Sequence, residues 1–122
     1  MQIVRLHSDE DGESHFQDTE IELDLTDYAP PAPPLNVSPS MPANGFAFME
    51  APAGWSSDWH PSSARNLFFV LSGEWQVTAS DGESRRFGVG SVLLVEDTTG
   101  KGHSSCVVSE TDSLAAMVQL GV

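Results

Sequence analysis

Basic residues are scarce in this chain. Five Lys and Arg stand against 18 Asp and Glu, a net charge of -13, and the carboxylates are spread along the sequence without forming a block. Such a surface neutralises neither a phosphate backbone nor an anionic bilayer, so nucleic acid and membrane are not expected as partners and the acidity reads as a solubility device. Cysteine occurs once, at Cys106, which rules out an internal disulfide; in the run Cys106-Val107-Val108 it reads as a small buried hydrophobe. No apolar stretch reaches the roughly 18 residues of a membrane helix, and the apolar run at Met1 to His7 is too short for a secretory leader. A soluble, cytoplasmic protein is the expectation. Also missing is any window that sustains a helical apolar period. At 122 residues the chain suits one domain.

What remains is a succession of short β-prone segments separated by turn chemistry. Residues 1-44 read as an acidic lead-in within that domain, with strands predicted at Gln2 to Leu6 and Thr19 to Leu25 and a turn at Ser8 to Gly12 between them. In the second strand apolar Ile21, Leu23 and Leu25 alternate with Glu20, Glu22 and Asp24, the pattern of a half-buried strand. The run Tyr28 to Leu35 holds four prolines, which fix φ and remove donors, and so predicts an extended crossing. An exposed strand edge and a rigid crossing outside the main body predict a homodimer that covers them. His7 and His15 lie in this acidic region and are expected at the surface or an interface.

Residues 45-122 form the body. Strands are predicted at Phe46 to Glu50, Ser57 to His60, Leu67 to Leu71, Glu74 to Ala79, Ser84 to Phe87, Ser91 to Glu96, Ser104 to Val108 and Leu114 to Leu120. Ser80-Asp81-Gly82-Glu83 is the clearest hairpin, since Asp-Gly supplies a positive φ. Ser72-Gly73 and Gly88-Val89-Gly90 mark further turns. Many short strands at regular spacing predict an all-β sandwich or barrel.

Within that body the residues run Gly54, His60, Ser62, Asn66, Gly73, and later Gly90, Thr98, Gly100, His103. The first set has the spacing of G-x5-H-x-H-x3-E-x6-G; the end of the second fits P-x-G-x2-H with Thr98 in place of proline, and the segment from Gly90 is two residues longer than that pattern. The chain thus resembles the cupins over about half its length, and the resemblance implies a jelly-roll barrel whose motif side chains point into a central pocket. Two of the four positions that usually bind metal there hold Ser62 and Asn66. Period-two geometry puts Asp58, His60 and Ser62 on one strand face, and Asn66, Phe68 and Val70 on one face of the next. The loop Asp97 to His103 is glycine-rich, but it lacks the P-loop pattern and a following helix, so phosphate binding is set aside.

Two histidines do not make a transition-metal site, which needs three or four protein ligands. No tight metal is therefore expected; the alternative is a divalent metal, iron, zinc or manganese, on Asp58, His60 and His103, a set suited to an oxygenase. In a metal-free pocket imidazoles carry proton transfer, with His103 as general base and His60 as its acid or orienting partner. Asp58, Glu96 or Asp97 is expected to fix a ring tautomer. Asn66, Phe68, Ser62, Asp58, Lys101 and Trp59 are the predicted substrate contacts, Lys101 as partner of a developing oxyanion. Of the three tryptophans, Trp55, Trp59 and Trp75, most are expected in the core, and an aromatic ring on the cavity side favours a partly apolar ligand. The sequence therefore points to a small-molecule-binding protein with acid-base activity of the isomerase, lyase or cyclase type; a metal-dependent oxygenase and a non-catalytic binding protein are the rivals.

Overall fold

Period-two alternation sets the architecture: in two facing sheets the central strands give one side to a common core and the other to solvent. The computed structural model describes residues 1–121 and places no helix among them. Its strands are β1 (Gln2–Ser8), β2 (Ser14–Glu20), β3 (Asp24–Thr26), β4 (Leu35–Val37), β5 (Ala43–Ala51), β6 (Ser56–His60), β7 (Asn66–Val70), β8 (Trp75–Ala79), β9 (Ser84–Phe87), β10 (Val92–Glu96), β11 (His103–Val107) and β12 (Ser113–Leu120). A six-stranded sheet in the order β2-β1-β10-β7-β12-β5 faces a four-stranded sheet in the order β6-β11-β8-β9. β1 lies parallel to β10, with Val4 opposite Leu93, and every other pairing is antiparallel.

The core lies between these sheets. Leu6 and Phe16 from the first hairpin meet Val70, Leu93 and Val95 on one side and Trp75, Val77, Ala79, Phe87 and Val107 on the other. β1 and β2 are thus part of the larger sheet, and β5 begins two residues before position 45. Trp75 is buried, and its indole N–H donates to Ser113 Oγ at 2.6 Å, so the one polar atom of the largest core side chain is satisfied. The turns follow the glycines: Gly73, Gly82 and Gly90 all have positive φ. Cys106, expected in the core, is half-buried.

The lead-in departs from its sequence pattern. β2 ends at Glu20, residues 21–23 are not in a strand, and β3 pairs only with β4. A two-stranded ribbon has no second layer to cover it, so Leu25 is 73% exposed although its alternation is that of a half-buried strand. The proline run supplies the turn of this ribbon, not an extended crossing: the Ala32 amide donates to the Ala29 carbonyl at 2.9 Å, across a cis Pro30–Pro31 peptide. At the other end, β5 is an open edge carrying Phe46 and Phe48, both exposed and packed edge-to-face on each other.

Candidate active site

A cavity of about 330 Å³ opens between the sheets. The smaller sheet contributes His60, His103, Ser105, Trp75 and Val77, and the larger contributes Asn66, Phe68, Leu93, Val95, Met49 and Met117, with Trp55 and Pro61 to Ser63 at the rim. Asn66 and Phe68 face inward with Val70 in the core beyond them, as alternation requires. One end of the cavity is polar. The other is aromatic: Trp75 meets Trp55 and Phe68 edge-on, with ring centroids 5.5 and 5.4 Å apart.

The two histidines come together at the polar end. His60 on β6 and His103 on β11 are register partners, and their ring centroids lie 4.8 Å apart. His60 Nδ1 is 2.8 Å from the Asp58 carbonyl oxygen. A carbonyl only accepts, so this nitrogen carries the proton and the neutral ring leaves Nε2 as its lone-pair atom. His103 Nδ1 lies 2.6 Å from Asp97 Oδ2. Asp97 is completely buried, and its second oxygen, Oδ1, has no protein partner. A buried, half-satisfied carboxylate is costly in a fold, and such groups concentrate where chemistry is done. Among the described residues neither Nε2 is engaged by the protein.

Glycine makes this approach possible. Gly102 has φ +73, and a Cβ there would run into the His60 carbonyl; Gly100, at φ +78, leaves room for the backbone of Gly12. The long loop after β10 therefore lies flat against both β6 and the β1–β2 turn. It is fastened there by Lys101 N–H to the Gly12 carbonyl (2.9 Å), Ser8 Oγ to the Thr99 carbonyl (2.7 Å) and Ser14 Oγ to the Gly102 carbonyl (2.7 Å).

Several predicted contacts lie elsewhere. Asp58 and Trp59 are exposed and do not line the cavity. The cause is a bulge: His103 pairs with His60 but Ser105 pairs with Ser57, so Asp58 and Trp59 together oppose the single residue Ser104. The inward face thus advances from Ser57 to His60, and Ser57 Oγ meets Ser105 Oγ at 3.1 Å. Lys101 Nζ pairs with Glu13 at 2.7 Å, outside the cavity. Glu96 faces away from it, joined to Arg5 and Arg65 at 2.6 Å each. Burial pushes the Glu96 carboxyl up, but the two guanidiniums more than offset this and hold it below the usual carboxylate range. Of the three carboxylates considered for a tautomer-fixing role, Asp97 is the one at a ring nitrogen.

Ser62 and Asn66, at the two altered motif positions, are tied to each other. Asn66 Nδ2 donates to Ser62 Oγ at 3.2 Å and to the Ala64 carbonyl at 3.0 Å, Ser62 Oγ donates to the same carbonyl at 2.6 Å, and the Ser62 amide donates to the Asp97 carbonyl at 2.9 Å. They brace the β6–β7 connection. Among the described residues no group of three His, Cys, Asp or Glu side chains is placed to hold a metal, so the set of Asp58, His60 and His103 does not assemble. Ser105, Met49, Met117 and Trp55 line the cavity without being among the predicted substrate contacts. Ser105 stands two residues from His103 on the same strand face, a signal that alternation carries; the methionines and Trp55 are brought in by tertiary packing alone.

No family model matches the chain, and no curated protein matches it. Solved structures do. A cupin 2 conserved barrel domain protein from Salinispora arenicola superposes with a TM-score of 0.53 at 18% identity, covering 63% of this chain and 62% of that one. The Cnp3 cupin domain of Schizosaccharomyces pombe gives 0.52 at 16% identity over 99% and 83% of the two chains, and a cupin domain from Bordetella pertussis gives 0.50 at 15% identity over 63% and 80%. The chain thus matches less than two-thirds of the Salinispora protein's length. At these identities the likeness is one of fold, and it agrees with the two facing sheets and their central cavity: the protein has the all-β cupin jelly-roll fold.

Proposed function

We propose that the protein binds a small, partly apolar organic molecule in its barrel and performs metal-independent acid-base chemistry on it, of the isomerase, lyase or cyclase type. The observation that carries this reading is the Asp97–His103 pair: a fully buried carboxylate 2.6 Å from Nδ1 of an imidazole that borders an apolar cavity. Asp97 holds the His103 tautomer, so that Nε2 receives the substrate proton while Nδ1–H stays on the carboxylate and faces the charge that forms. His60, 4.8 Å away, returns a proton from its own Nε2 when it carries one, with Nδ1–H kept on the Asp58 carbonyl throughout. Proton removal and return at two substrate atoms is net isomerisation; loss of a leaving group instead gives a lyase. We further propose a homodimer, paired along the open β5 edge where Phe46 and Phe48 are exposed.

Turnover of a panel of enolisable and aromatic compounds tests the activity. A positioned general base contributes about a hundredfold to ten-thousandfold, so His103→Ala is expected to lower kcat by at least about a hundredfold, and His60→Ala by less. Near-normal kcat in His103→Ala overturns the acid-base reading, and binding without turnover across the panel leaves a non-catalytic binding protein. Light scattering decides the second proposal: a single-chain mass at micromolar concentration overturns the dimer.

A further inference from the structure

We infer that the cavity takes an uncharged, flat molecule, a phenol or an enolisable cyclic ketone, and discriminates against carboxylates and phosphates. This rests on the acid-base reading of the site and names the substrate class for it. All five basic side chains of the chain are in ion pairs outside the cavity. Arg5 and Arg65 hold Glu96, Arg85 holds Glu83 and Asp18, Arg86 holds Glu74, and Lys101 holds Glu13. None of the five lines the cavity, and among the described residues its only ionisable lining groups are His60 and His103.

An anion entering the cavity would leave its hydration shell without meeting a lysine or arginine, and burying a charge without a partner is among the costliest steps in recognition. The acidic group beside the site, Asp97, lies behind the ring that an anion would meet and offers it no positive partner. The net charge of -13 repels an anion on its approach as well. A cation finds no partner either: no Asp or Glu lines the cavity, and Asp97 is fully buried on the far side of the His103 ring. What the walls offer instead is aromatic edge and face from Trp55, Trp75 and Phe68 and adaptable thioethers from Met49 and Met117, against two ring nitrogens at one end. That is the complement of a flat apolar body with one polar edge.

Calorimetric titration of the full chain with three probes of similar shape, naphthol, naphthoate and naphthyltrimethylammonium, tests the inference. Naphthol is expected to bind, and the two charged probes at least about tenfold more weakly. Met117→Lys, which sets a cation in the wall, is expected to reverse the order of naphthol and naphthoate, with circular dichroism confirming that the variant is folded. Naphthoate or the ammonium probe binding the unaltered protein as well as naphthol overturns the substrate class, and so does absence of naphthol binding. The acid-base reading fails separately, through unchanged turnover in His103→Ala, whatever the charge preference proves to be.

Discussion

Gly102 and His60 are in backbone contact across two strands' ends: the position of a Cβ on Gly102 is already occupied by the His60 carbonyl, and Gly102 stands at φ +73. The residue before His103 is therefore fixed against His60, whose ring faces that of His103.

Gly102→Ala is expected to lower stability by about 1–3 kcal/mol, from a strained left-handed conformation together with forced separation of loop and strand. Urea denaturation measures this. Because the strain sits between the two histidines, their ring resonances should shift more than those of the core aromatics in NMR spectra of the folded variant.

Asp97→Asn removes the obligatory acceptor at His103 Nδ1. In the unaltered protein the neutral ring is expected to be wholly the Nδ1–H tautomer, and in the variant a mixture, since an amide can donate as well as accept. Nitrogen-15 imidazole shifts report the tautomer directly, without a substrate. A single Nδ1–H tautomer in the variant would show that Asp97 does not orient the ring.

Much of this site is legible in the sequence, and the exceptions have identifiable causes. The glycine spacings and turn residues specify backbone conformation locally, so Gly73, Gly82 and Gly90 mark their turns correctly. Strand alternation then places Asn66, Phe68 and Val70 on the inner side. It fails at Asp58 because one extra residue opposite Ser104 reverses the face, and nothing in Ser57-Asp58-Trp59 announces a bulge. Asp97 was one of three carboxylates within reach, and only the path of the loop after β10 selects it. The alternation of Ile21 to Leu25 is that of a covered strand, but burial depends on whether another layer lies above, which no local pattern records.

His15 predicts a pH dependence. It lies 2.7 Å from Asp9 and 2.9 Å from Asp81, and so ties the β1–β2 turn to the β8–β9 turn; His7 is the other titratable group facing it, with ring centroids 5.9 Å apart. Asp9 first, then Asp81, holds the imidazolium above its ordinary value, and both carboxyls are held low, Asp9 chiefly by His15 and Asp81 chiefly by the Glu83 amide. A raised folded value means that the histidine's contribution is full below about pH 6.5, its unfolded value, and is lost as pH rises through the folded one. The lowered carboxyls contribute above their unfolded values, near about 3.9, and lose this as pH falls further. The thermal-shift difference between the unaltered protein and His15→Gln is therefore expected to peak between these limits and to shrink towards both alkaline and strongly acid pH.

Glu96 joins β1 to the start of β7 through Arg5 and Arg65. Glu96→Gln is expected to cost about 1 kcal/mol at neutral pH, modest because both guanidiniums are partly solvated. The folded carboxyl titrates below its unfolded value, so this contribution is present above the unfolded value and disappears as pH falls through the folded one. Urea curves of the two proteins should accordingly converge in acid, and a constant difference down to about pH 2 would show that packing, not charge, is responsible.

The fastening of the loop after β10 bears on how molecules come and go. A segment sewn to β1, β2 and their turn by Ser8, Ser14 and the Lys101 amide, with glycines packed against backbone on two sides, has no slack to swing as a lid. Passage in and out of the barrel then falls to the exposed side chains at the cavity's edge, Trp55 and His60 among them, which turn on the nanosecond scale of surface rotamers and not on the microseconds of a moving loop.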